Sequence, residues 1–189
     1  MQQPRASGFA TAAVLVVATA GVLIYVVIGR GGGGGSPSAR QLSALRSAAT
    51  AAGCSLASFP SEGRDHTESK VSYGTNPPTS GPHNPVPAPD REYTTAPPAE
   101  NYVHSLEHGR IELQYRPGAP PSVVNALRGV YRESSAHVLL FPNNTHMQYE
   151  VAATAWKHRI GCIKFNSRVP EALRRFRDAY RDKGPEQVP

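Results

Sequence analysis

The chain has little cysteine, an excess of basic over acidic residues and, near its start, no charge at all. Only two cysteines occur, Cys54 and Cys162. In an exported domain two thiols form a disulfide more often than a metal site; the other reading is two unrelated buried groups. A bridge between them would constrain the unfolded chain by about 4–5 kcal/mol in the entropy model. Lys and Arg number 20 against 14 Asp and Glu, a net charge of +6. Such a balance suits nucleic acid, but an exported domain rarely meets any, so nucleic acid is not an expected partner. Anionic lipid, cell-wall polymer or a merely solvated surface fits the charge better. Ala, Arg, Gly and Pro are prominent, an impression of a GC-rich bacterial genome. No internal repeat is present.

Between Ala6 and Gly29 no side chain is charged, and most are Ala, Val, Leu or Ile. A membrane-spanning helix needs roughly 20 such residues. Residues 1–7 read as a short tail and 8–29 as a transmembrane signal anchor, with everything after Arg30 outside the cytoplasm. A cleaved signal peptide is the rival reading, but its apolar core runs to about 7–15 residues and this run is longer. Ala51-Ala52-Gly53-Cys54 resembles a lipid-attachment box, yet a glycine run and a polar helix separate it from the apolar core.

Residues 30–38 hold the run Gly31 to Gly35 and read as a flexible tether. Residues 39–53 read as a helix with Leu42, Leu45 and Ala49 at helical spacing and Gly53 as its stop. It either packs on the domain or stands between domain and membrane. The exported domain is expected over residues 54–189. Pro77 to Pro98 is dense in proline, which excludes a helix or central strand because each proline lacks an amide donor. A disordered linker and a rigid loop wrapped on the core compete. Gly81, His83 and Tyr93 favour the loop.

Strict alternation follows. Ile111, Leu113 and Tyr115 are apolar while Arg110, Glu112 and Gln114 are polar, so a half-buried strand is predicted there. A helix is predicted from Pro121 or Ser122 to Glu133, with Val123, Leu127 and Val130 on one face. A buried strand is predicted over His137 to Phe141, and a strand or hairpin over Tyr149 to Phe165. Pro170 opens a last helix with Leu173, Phe176 and Tyr180 inward, ended by Gly184-Pro185. The order predicts an α+β domain, a mixed sheet with flanking helices and a proline-rich irregular arm, preceded by one transmembrane helix.

Chemistry concentrates in two blocks, PPTSGPH ending at His83 and HSLEHG from His104 to Gly109. HSLEH fits the spelling of inverted zinc peptidases, in which both histidines lie on one helix face and the Glu is general base. A strand follows at once and no long helix is expected before Val103, so the context disagrees. In a strand-entry turn His104 and His108 can still converge on one ion, with His83 or His66 arriving from the loops. Imidazole suits zinc, copper, iron and nickel. Glu107 would be a ligand or would orient one. The competing reading has these histidines bonding backbone groups and pinning the proline loop. Ser80 lies near His83, but no nucleophile elbow occurs, so a tight turn is its ordinary role. His146-Met147 reads as a surface turn more readily than as a soft copper site. Arg174, Arg177 and Arg181 on the last helix read as a solvated face.

The chain resembles the domain-of-unknown-function 3105 family of membrane-anchored bacterial proteins. The matching blocks are Pro77 to His83, Val103 to Gly109, Ala155-Trp156 and Phe176 to Glu186, with His66 as the upstream histidine. Lys157 and Ser167 depart from the pattern. The resemblance implies domain limits from about Cys54 to Glu186 and one site built from His66, His83, His104 and His108. It implies no reaction. The expectation is therefore a single-pass membrane-anchored, extracytoplasmic protein that binds copper or zinc and is not favoured as an enzyme. The alternatives are an envelope protein without metal and a metal-dependent enzyme. No protein partner follows from the sequence.

Overall fold

A computed structural model of the chain describes residues 14–19, 22–27, 35–186 and 188. Two units are described separately, the first ending at Gly32 and the second running from Gly33 to Pro189. In the first, strands β1 (Val14–Thr19) and β2 (Val22–Val27) pair antiparallel. The sequence predicted a transmembrane helix over 8–29; its described parts are extended instead, and its remainder lies outside the described residues. Both segments are rich in Val, a composition that suits a strand as well as an apolar helix. No helix among the described residues is long and apolar enough to cross a membrane.

The second unit is α+β. A mixed sheet of five strands runs in the order β3-β7-β6-β4-β5, formed by Ser55–Ser58 (β3), Ile111–Tyr115 (β4), Val138–Pro142 (β5), Val151–Ala155 (β6) and His158–Cys162 (β7). Among the five strands of this sheet only β4 and β5 pair in parallel, and helix α3 (Pro121–Glu133) makes the crossover between them. One sheet face presents Ile111, Leu113, Val138, Leu140, Val151 and Ala153 to the main core. That core is closed by α3, by α1 (Ala39–Ala52) and by α4 (Val169–Tyr180), through residues such as Leu45, Leu127 and Phe176. Helix α1, for which the sequence left two places open, packs on α4 within this unit. Its start is fixed by Ser38, which accepts the Gln41 amide in a capping box, and its end by Gly53 at φ 68°. Cys54 and Cys162 are disulfide-bonded, tying the start of β3 to the end of β7.

The opposite face corrects the sequence reading. Alternation predicted a half-buried β4, yet Glu112 and Gln114 are as buried as Ile111 and Leu113. The polar face is covered by helix α2 (Ala99–Glu107) and by the proline-rich arm, which bring Tyr102, Val103, Leu106 and Ala88 onto Leu139, Phe141 and Trp156. Polar side chains survive there because they bond one another. Thr154 Oγ1 donates to Glu112 Oε2 at 2.6 Å, Gln114 Nε2 donates to the same oxygen at 3.0 Å, and Asn143 Nδ2 donates to Gln114 Oε1 at 2.7 Å.

The arm is ordered. Tyr93 donates its amide to the Leu140 carbonyl at 2.8 Å and Leu140 donates to Arg91 at 3.1 Å, so the arm lies along the edge of β5. Further upstream, the Thr67 amide reaches the His83 carbonyl at 2.7 Å and the His83 amide reaches Asp65 at 3.0 Å. This bridge sets His66 beside His83.

Candidate metal centre

Helix α2 was not predicted, and it decides the geometry. Pro98 precedes it, Tyr102, Val103 and Leu106 bury its inner side, and Gly109 at φ +79° stops it. A nine-residue helix with an irregular arm before it carries too short a periodicity to read from sequence. His104 lies in its last turn, Glu107 is its last residue and His108 caps it. Spacings of three and four residues place all three on neighbouring positions of one face.

His66, His83, His104 and Glu107 offer donor atoms that all lie within 4.8 Å of one another. Donors at about 2.0–2.1 Å from a tetrahedral ion stand roughly 3.3–3.4 Å apart, so a small contraction closes this set on one ion. The imidazoles of His66, His83 and His104 form a near-regular triangle, with ring centroids 5.2, 4.9 and 4.7 Å apart. His83 and Glu107 are buried, their side chains 0% and 2% exposed. His66 is exposed.

The ring nitrogens are assigned by their partners. His83 Nδ1 lies 2.8 Å from the Gly81 carbonyl, and His104 Nδ1 lies 2.6 Å from the Asn84 carbonyl. A carbonyl only accepts, so both Nδ1 atoms carry the proton and donate it. The neutral form of each ring then turns an Nε2 lone pair into the cluster. A backbone carbonyl behind the ring is the arrangement that fixes tautomer and orientation in metal-ligating histidines. Burial, with the nearby His83 and His66 rings, holds His104 below the usual histidine range despite its bond to Asn84. Burial and His104 hold His108 down likewise. Both therefore favour the neutral state that ligates metal.

Glu107 is held from both sides. Arg64 Nε donates to Oε1, while Oε2 stands 2.9 Å from His83 Nε2. That nitrogen is buried and finds no hydrogen-bond partner in acceptable geometry, so the close carboxylate oxygen is not on its N–H axis. With Oε1 held by Arg64 and Oε2 beside His83, Glu107 offers a donor atom to a group that could hold a metal ion.

Of the predicted site residues, His108 stands slightly apart. Its Nε2 is 2.9 Å from His104 Nε2, and it groups with His104 and Glu186 instead of with His66 and His83. Glu186 and Arg64 were missed from the residue chemistry. Glu186 closes the block of resemblance that ends the chain, which was the available signal. The remaining histidines lie elsewhere. His137 pairs with Asp182, His146 lines a groove with Met147 and Asn143, and His158 stacks on Tyr180 with ring centroids 4.2 Å apart. The buried hydroxyl of Ser80 accepts the Glu62 amide at 3.1 Å, the turn role expected of it.

Comparison with known families finds one match. Residues 65–189 fit the model of the family described as protein of unknown function DUF3105. No curated protein and no solved structure matches the chain.

Proposed function

The chain belongs to the DUF3105 family, and within that family we propose that it is a single-pass membrane-anchored, extracytoplasmic protein that binds one transition-metal ion through His66, His83, His104 and Glu107. The observation that carries this reading is the pair His83 Nε2 and Glu107 Oε2, buried, 2.9 Å apart and out of hydrogen-bond alignment. Two such acceptors repel unless a metal ion or a shared proton stands between them, and the lack of hydrogen-bond alignment favours the metal. A set of three imidazoles and one carboxylate suits zinc or copper(II) better than a soft copper(I) site. Four protein donors fill a tetrahedral ion, which favours binding or carriage over catalysis, since catalysis keeps one position open.

The location outside the cytoplasm is supported by the Cys54–Cys162 disulfide, which persists in oxidising compartments. The anchor is supported by the uncharged run from Ala6 to Gly29. The expected outcome is that the full chain stays with membranes after carbonate washing and that its C-terminal part is cut by protease added outside the cell.

A second reading has support in the same atoms. The Arg64–Glu107–His83 contacts can clamp the proline-rich arm to α2 without any ion. The two readings separate on thermal unfolding of the full chain. A resident ion at 100 times its Kd stabilises by about 2.7 kcal/mol, so a chelator lowers the Tm under the metal reading and leaves it unchanged under the clamp reading.

A further inference from the structure

The second donor group, His104, His108 and Glu186, has no role in the function just proposed, and it shares one residue with the first. The sharing is restrictive. His104 Nδ1 is committed to the Asn84 carbonyl at 2.6 Å, so Nε2 is its one ring nitrogen left for a metal. That nitrogen belongs to both groups. One lone pair serves one ion, so the two groups are alternative positions and cannot both be filled through His104.

The positions differ in access. In the first, only His66 is exposed, while His83 and Glu107 are 0% and 2% exposed. In the second, His108 and Glu186 are 11% and 42% exposed, and their Nε2 and Oε2 stand 3.7 Å apart. An ion from solvent therefore meets two partly exposed ligands at the second position and one exposed ligand, His66, at the first.

Glu186 is placed by design of the chain end. The Asp182 amide donates to the Gly109 carbonyl at 2.9 Å and the Glu186 amide donates to the Glu107 carbonyl at 3.1 Å, so the C-terminal segment lies across the end of α2. Gly184 makes this approach feasible, since a Cβ there would sit 2.1 Å from the Glu107 carbonyl oxygen.

Resting on the metal reading above, we propose that His108 and Glu186 form a loading position for a divalent transition-metal ion, which passes to His66, His83 and Glu107 by exchanging ligands while His104 Nε2 stays bound. His104 Nε2, its Nδ1 proton given to Asn84, accepts the His108 Nε2–H at 2.9 Å, so an ion arriving at His108 breaks that hydrogen bond and moves the ring proton to Nδ1; apart from this shift only metal–ligand bonds change, and no oxidant or reductant is needed.

The test uses the full chain, stripped with chelator and mixed with Co2+ in a stopped-flow spectrophotometer, with final metal content measured separately. The expected result is one ion per wild-type chain, and one ion per chain in His108→Ala and Glu186→Gln with uptake slowed about tenfold or more in each. Glu186 is partly exposed, so its amide variant keeps the test valid if His108→Ala folds poorly. Two ions per wild-type chain, or unchanged uptake in both variants, overturns the loading position and leaves the metal reading standing. No cobalt bound by the wild type overturns both.

Discussion

His83 and Glu107 approach to 2.9 Å across the junction of the proline-rich arm and helix α2, with the ring Nδ1 already spent on the Gly81 carbonyl. The arm and the helix are therefore joined at the same point at which the donor set converges. Substitution there separates charge from shape. Glu107→Gln keeps the size of the side chain and removes its charge. The expected outcome is a loss of zinc affinity of about tenfold to a hundredfold, read by competitive titration of the full chain. Unchanged affinity would make Glu107 an ion-pair partner only.

Burial drives the Glu112 carboxyl well above the ordinary carboxylate range, more strongly than its bonds from Thr154 and Gln114 lower it. A group whose pKa is raised on folding contributes most below its unfolded value of 4.5 and loses that contribution as pH climbs toward the folded value. The Glu112 contribution should thus shrink as pH rises above 4.5, so between measurements at pH 5 and pH 8 Glu112→Gln should lose less stability, or gain more, than wild type. Urea midpoints of both proteins at the two pH values check it. A variant that keeps the wild-type slope contradicts it.

His158 has the opposite sign. Burial, aided by Lys157, pushes it down to about 4 from 6.5. A histidine depressed on folding is favourable above 6.5, and this contribution is lost as pH falls toward 4. His158→Gln should flatten the loss of stability in that window relative to wild type. Thermal unfolding at pH 7 and pH 4.5 is the measurement, and an equal drop in both proteins would show that His158 does not set it.

The end of the chain is fitted to the end of α2 by glycine. Gly109 takes φ +79°, and Gly184 approaches so closely that an added Cβ would lie 2.2 Å from the Gly109 nitrogen. Gly184→Ala must push the C-terminal segment away. The expected loss is about 1–3 kcal/mol in urea unfolding, typical of overpacking. A stability equal to wild type would mean that the segment contributes nothing to the fold.

Much of this fold is legible in the order of residues. Leu45 and Ala49 mark α1, Val123, Leu127 and Val130 mark α3, and Leu173 and Phe176 mark α4, because each shows one apolar face over three turns. Helix α2 was hidden by its length and by a histidine and glutamate pattern that reads as a loop. Glu112 and Gln114 read as solvent-facing because alternation reports which residues are polar, while what covers them is set by an arm whose prolines carry no periodicity. The site was legible as residue types. Its division into two groups was not, since that depends on which ring nitrogen of His104 is already bonded and on a C-terminal segment that folds back.

The most direct measurement is the metal content of the untagged full chain by elemental mass spectrometry, beside His83→Ala and His104→Ala. The expected result is close to one zinc or copper ion per wild-type chain and little in either variant. A wild-type chain without metal after reconstitution, or variants that retain the full amount, would contradict a metal centre at His66, His83, His104 and Glu107.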